Sequence, residues 1–224
     1  MDKKGWIIFA VIVVALFGIL IYRSQTGKVS LDNVDPYQIQ KASPDNGEIG
    51  DNVLNPNSNS LTLIEYGDFQ CPGCQTIYPI VHQITEEFAP DVQFVFRNYP
   101  LSYHANAKAA AAAAESAGLQ NRYWDMFDII YSHGSEWEKA SATERTDVFL
   151  RYAKELGLDT TKFKTDMDSE NVKKKINFDV ALAKKSNIDA TPTFILDGKK
   201  LDNSKINTAE GFREVINEAL KNRK

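Results

Sequence analysis

Cysteine is nearly missing from this chain: its 224 residues hold two, Cys71 and Cys74. That scarcity speaks against a structural zinc site, which takes four ligands. There is no second cysteine pair, and the three histidines, His82, His104 and His133, stand apart from one another. No internal repeat, phosphate loop or dinucleotide fingerprint is present. An excess of positive charge is missing too. Lys and Arg number 26 against 30 Asp and Glu, a net charge of −4, which argues against a nucleic-acid partner. Charge is absent altogether from Trp6 to Tyr22.

What is there is a single Cys71-Pro72-Gly73-Cys74. A structural role fits it poorly, because a bridge across two residues closes too small a loop to stabilise much. A redox role fits better. A thiol pair at this spacing can close a small ring, open it, and pass two electrons on, and the thiolate is the reactive form. Leu61-Thr62-Leu63-Ile64-Glu65-Tyr66 reads as a strand, and Gly67 to Gln70 breaks it. Pro72 suits the first turn of a helix, which Ile77, Ile80, Val81, Ile84 and Phe88 continue at helical spacing. Cys71 therefore falls at a helix N-terminus, where free N–H groups and the helix dipole favour the anion.

The uncharged run from Trp6 to Tyr22 is 17 residues, about 25 Å as a helix, the short end for crossing a bilayer. Lys3 and Lys4 precede it; Arg23 and Lys28 follow. The reading is an uncleaved anchor over residues 1–23, N-in and C-out. The rival is a cleaved signal peptide, but Ile21 to Thr26 offers no clear small-x-small cleavage site. No cysteine follows the run to carry a lipid. Residues 24–60, rich in Asn, Asp, Ser, Pro and Gly, read as a flexible tether with a short ordered piece around Tyr37 to Ile39. Residues 61–224 remain for one globular domain.

Within that domain, Val92 to Phe96 alternates like a strand, and His104 to Ala117 is alanine-dominated helix with Gly118 as its C-cap. Tyr123 to Tyr131, Val148 to Leu156 and Val172 to Ala183 predict three more helices, with Gly157 ending the second of them. Lys173-Lys174-Lys175 reads as a solvated helix face. Thr193 to Leu196 is a strand and Asp197-Gly198 a hairpin turn. Phe212, Val215, Ile216 and Leu220 mark a last helix, capped at Asn207 or Thr208.

This order resembles a thioredoxin fold with an inserted α-helical subdomain at about 104–187. The family it resembles is the DsbA-like thiol-disulfide oxidoreductases, of the membrane-anchored kind found in bacteria without a conventional periplasm. Glu65-Tyr66-Gly67-Asp68-Phe69-Gln70-Cys71-Pro72-Gly73-Cys74 is similar to the family signature E-F-x-D-F-x-C-P-x-C. Phe96 to Leu101 with His104, Ala109 to Ala117 with Tyr123-Trp124, and Thr191-Pro192-Thr193 resemble its later segments.

The resemblance implies roles. Cys71 is the exposed nucleophile and Cys74 its buried partner. Glu65 moves a proton to or from Cys74. Pro192 is a cis proline opposite the cysteines, and Thr191, Pro72 and Gly73 contact substrate. It implies an oxidase that introduces disulfides into exported proteins, monomeric, held at the cell membrane with its catalytic domain outside. No cofactor or metal is called for. Client proteins with free cysteines and a quinone-linked membrane partner are the expected company. A disulfide reductase or isomerase of the same fold is the alternative, and a membrane-tethered chaperone or peptide-binding module with an idle disulfide a further one.

Overall fold

The computed structural model describes Trp6, Phe9, residues 11–18 and residues 31–223. It divides into two units, one up to Ser30 and one from Leu31 onward. In the first, residues 11–18 are helical, with Val11, Ile12, Val14, Leu16 and Phe17 exposed. Among the described residues no helix is long and apolar enough to cross a membrane. The rest of the expected anchor lies outside the described residues.

The second unit is built on five strands: β1 (Val53–Leu54), β2 (Leu61–Gly67), β3 (Val92–Asn98), β4 (Thr193–Leu196) and β5 (Lys199–Lys200). They form one sheet in the order β1-β3-β2-β4-β5. β2 and β3 run parallel, with Glu65 opposite Phe96 and Gly67 opposite Asn98. A parallel pair needs a crossover, and α1 (Pro72–Glu87) supplies it. β4 runs antiparallel to β2, with Tyr66 opposite Thr193. β4 turns into β5 through Asp197 and Gly198, both at positive φ (45° and 81°), as a two-residue hairpin turn requires. β2 and β3 are nearly continuous apolar runs because helices cover both faces of the sheet centre. α8 (Ala209–Asn222) packs beside α1, and Arg213 reaches Glu87 at 2.8 Å. Thr208, one of the two expected caps, accepts from Gly211 N–H at 3.2 Å.

Between β3 and β4 lies the helical insertion: α2 (Ala107–Gly118), α3 (Tyr123–Ser132), α4 (Gly134–Trp137), α5 (Ala142–Glu155), α6 (Thr160–Met167) and α7 (Glu170–Lys185). The four expected helices are present as α2, α3, α5 and α7. α4 and α6 were not expected. Gly118 is the last residue of α2 and Leu119 its cap; the left-handed residue that turns the chain is Asn121, φ 61°. Phe69, Phe96, Phe127 and Tyr131 pack ring on ring where this insertion meets the sheet.

The tether expected over 24–60 is corrected from Leu31 onward. β1 pairs antiparallel with β3. Asn55 donates to the Thr85 carbonyl at 2.9 Å, and Asn57 to the Pro90 carbonyl at 3.1 Å. The Asp51 side chain is fully buried and lies 2.8 Å from Arg97 and 3.1 Å from Lys175. Arg97 also donates to the Gln38 carbonyl at 2.6 Å, and Lys175 to Asp179 at 2.6 Å. Lys175 thus leaves the expected solvated face, while Lys173 and Lys174 keep to it. The Asp51 carboxylate and the Pro36 and Gln38 carbonyls of this segment satisfy buried charges on β3 and α7. Such groups would otherwise be stranded in the interior.

Candidate redox site

The end of β2, the turn after it and the first turn of α1 hold the two cysteines. Cys71 is the N-cap of α1, with extended backbone (φ −74°, ψ 123°), and Pro72 occupies the first helical position. One turn later Cys74 is fully buried. Both are free thiols. Cys71, expected exposed, keeps only 8 % of its surface in solvent. The covering element is the loop before β4: Cys71 Sγ lies 3.5 Å from the Thr191 carbonyl oxygen. The Thr191-Pro192 bond is cis, as expected. The Tyr66–Thr193 pairing brings this loop to the end of β2. A Cβ placed on Gly73 would lie 3.2 Å from Pro192 Cδ and 3.7 Å from Cys71 Sγ. Pro72, Gly73, Thr191 and Pro192 therefore all sit around Cys71.

The two sulfurs have opposite electrostatics. Cys71 is lowered from an ordinary 9.0 to about 5. The Cys74 thiol donating to its sulfur is the largest lowering cause, and the backbone N–H groups of Gly73 and Cys74 add to it. Burial works in the other direction and loses. Cys74 is raised well above 9.0 by burial, by that same hydrogen bond, and by the charges of Glu65 and Cys71. Asp68 N–H lies 3.5 Å from Cys74 Sγ and offsets only part of this. Glu65 is fully buried within β2 and raised to about 8, first by burial and then by the Cys71 charge. The surface-carboxylate alternative for Glu65 is thereby excluded. At neutral pH the arrangement holds a thiolate at Cys71, a thiol at Cys74 and a proton on Glu65.

Further groups brace the site that the sequence reading did not single out. The Asp68 carboxylate accepts from Gln70 N–H and Leu101 N–H, both at 2.8 Å, and lies 2.7 Å from His104 Nδ1. Asn106 takes Gln70 Oε1 on its backbone N–H at 2.8 Å and donates to the Trp137 carbonyl at 2.7 Å. Gln75 bonds Glu138 Oε1 at 2.5 Å. These contacts tie the cysteine turn to α2 and to the chain after α4. Asp68 and His104 lay within the motifs already noted; their pairing across 36 positions carries no local signal. Among the described residues, no group of His, Cys, Asp and Glu side chains could hold a metal ion.

A model of the thioredoxin family matches residues 55–218. The Na(+)/H(+) antiporter NhaA 1 of Salinispora arenicola is 34 % identical over 151 residues, 67 % of this chain and 22 % of the relative. The NhaA of Herminiimonas arsenicoxydans is 34 % identical over 154 residues, 69 % and 23 %. The chain thus spans about a fifth of the length of these curated relatives. Among solved structures, oxidised BdbD from Bacillus subtilis superposes with a TM-score of 0.63 at 25 % identity, covering 82 % of this chain and 97 % of that one. A thioredoxin-like oxidoreductase from Silicibacter pomeroyi gives 0.60 at 25 %, covering 76 % and 92 %. Alpha-DsbA1 of Wolbachia pipientis shares the fold, with 0.65 at 22 % over 77 % and 92 %. The chain belongs to the thioredoxin family, and its fold is the one shared by DsbA-like thiol-disulfide oxidoreductases.

Proposed function

We propose that the chain is an oxidase: it takes two electrons from a pair of client thiols and leaves a disulfide in the client. The observation that carries this is the opposition of the sulfurs, with Cys71 at about 5 and Cys74 far above the ordinary thiol range. A stable thiolate lowers the energy of the reduced protein, which makes its disulfide a stronger acceptor. In the forward reaction a client thiolate attacks Cys71 Sγ of the oxidised protein. The Cys71–Cys74 bond breaks, and its electron pair stays on Cys74, which takes a proton from Glu65. A second client thiolate then attacks the client sulfur of the mixed disulfide and expels Cys71, already stable as an anion. The Thr191 backbone, beside Cys71, is suited to hold an extended client by strand addition, with Pro72, Gly73 and Pro192 flanking the sulfur.

The setting belongs to the same proposal. Disulfides persist outside the cytoplasm, and the uncharged run from Trp6 to Tyr22 supports a single-pass anchor with the catalytic unit outside, acting as a monomer on exported proteins. Repeated turnover needs a reoxidising membrane partner, for which a quinone-linked protein is the proposed class. No antiport is proposed, since the match omits nearly four-fifths of the NhaA relatives. The test is oxidative refolding of a reduced, unfolded client. Oxidised protein should restore client activity and the Cys71→Ser variant should not. Insulin reduction without client oxidation would favour the reductase instead, and protection of an unfolded client that survives Cys71→Ser would favour the chaperone.

A further inference from the structure

Asp68 is bonded to both cysteines, and the exchange steps above make no use of it. It follows β2 directly. Its N–H donates to Cys74 Sγ at 3.5 Å, and its carbonyl accepts from Cys71 N–H at 3.0 Å. Its side chain is wholly shut off from solvent. The carboxylate there takes Gln70 N–H on Oδ1 at 2.8 Å and, on Oδ2, Leu101 N–H at 2.8 Å and His104 Nδ1 at 2.7 Å. A buried carboxylate needs such donors, but these differ in kind. Gln70 and Leu101 give main-chain N–H groups, which a side-chain substitution leaves in place. His104 gives a side chain, 15 % of it in solvent.

The sheet brings this donor to Asp68. β2 and β3 run parallel with Gly67 opposite Asn98, and Tyr99 N–H donates to the Gly67 carbonyl at 2.7 Å, so the pairing continues one residue past β3. The two chains leave the sheet side by side. The loop after β3 then closes on itself, His104 N–H donating to the Leu101 carbonyl at 3.0 Å. Asp68 thus holds the cysteines with its main chain and this loop with its side chain. An N–H aimed at one sulfur needs a peptide of fixed orientation, and the clamped carboxylate fixes it.

We propose that His104, through the Asp68 carboxylate, positions the Asp68 N–H as the donor to the charge that appears on Cys74 Sγ as the disulfide opens. This deepens the disulfide-exchange reading above and rests on it. The attacking thiolate forms a bond to Cys71 Sγ; the Cys71–Cys74 bond breaks; its electron pair moves onto Cys74 Sγ, and the Glu65 proton then neutralises it. The Asp68 N–H points at that sulfur before the charge arrives, so nothing has to reorganise as it forms. The disulfide and the Cys74 thiol, at the two ends of the step, carry no charge on this sulfur and gain far less from the donor. The barrier therefore falls while the balance between oxidised and reduced protein stays the same. His104 acts through Asp68 and is a positioning residue.

His104→Leu removes the side-chain donor. His104→Asn keeps an uncharged donor near the place of Nδ1. The measurements are the stopped-flow rate at which dithiothreitol reduces the oxidised protein and the reduction potential against glutathione. His104→Leu should react about tenfold more slowly, short of the roughly hundred- to thousandfold loss when such a donor is deleted outright. Its potential should equal that of the wild type, and His104→Asn should return the rate to within about threefold. A His104→Leu rate within twofold of an active wild type overturns this inference alone. So does a slow rate with a shifted potential, because a displaced cysteine turn would disturb the Cys71 thiolate as well. A slow rate that His104→Asn does not restore also overturns it. If His104→Leu does not fold, His104→Gln, whose amide reaches past the place of Nδ1, replaces it and should be the slower of the two amides; equal rates overturn the inference. A wild type that exchanges neither with dithiothreitol nor with a client overturns the disulfide-exchange reading, and this one with it.

Discussion

At the scale of single residues, the account rests on three ionisable groups held in unequal states. Cys71 is depressed to about 5 and should alkylate in the folded reduced protein with a midpoint near pH 5, while Cys74 stays unlabelled; mass-spectrometric mapping over pH checks both. The sign for stability follows. The reduced fold gains from Cys71 as pH rises from about 5 toward 9.0, and that gain is lost as pH falls through 5. Glu65 runs the other way. Its folded value is raised from 4.5 to about 8, so the fold holds a proton that the unfolded chain gives up, and stability falls across that window. By pH 7 this amounts to about 3 kcal/mol. Glu65→Gln, neutral at every pH, should therefore raise the urea midpoint at pH 7, erase that slope, and slow exchange by removing the proton source. Cys71, Cys74, Glu65 and Pro192 were all legible in the sequence, because each lies in a short contiguous motif. The Asp68–His104 pair beside them was not, since it joins two residues 36 positions apart and leaves no local signal.

At the scale of elements, periodicity was a good guide where elements are long or strongly amphipathic. β2, α1, β3, β4 and α8 stand where the apolar spacing puts them, and the helical run of α1 passes through Pro79 unbroken. α4 is four residues long and α6 eight, too short for a repeat of 3.6 to declare itself. The segment from Leu31 to Ser60 was misread for a different reason. Asp51 meets Arg97 across 46 positions and Lys175 across 124, and composition carries no trace of such pairings. Burial pushes the Asp51 carboxyl up, but Arg97 and Lys175 outweigh it and hold it at about 2. Asp51→Asn removes the carboxylate paired with buried Arg97 and leaves Lys175 to Asp179 alone, and should destabilise the unit by about 3–5 kcal/mol in urea unfolding. Glu170→Gln, which breaks an exposed pair with Lys173, should change stability by less than about 0.5 kcal/mol. Gly67 is constrained by space: a methyl there would enter the Phe96 ring, and Gly67→Ala should cost about 1–3 kcal/mol.

At the scale of the whole molecule, the sheet sets the cysteine turn against the cis-proline loop, and the insertion packs an aromatic wall behind it. The fold thereby sets Cys71 at the helix end beneath the cis-proline loop and Cys74 one turn deeper in the interior. Under the proposed function, anchoring would raise the effective concentration of the catalytic unit toward clients at the membrane. Protease added to intact cells with permeable walls should remove the catalytic unit; its protection would contradict the proposed topology. The central claim is that the Cys71–Cys74 disulfide is an acceptor, and it is tested most directly by the reduction potential of that couple, equilibrated against glutathione. The account predicts a value less negative than about −180 mV; a value near −270 mV, characteristic of a reductant, would contradict it.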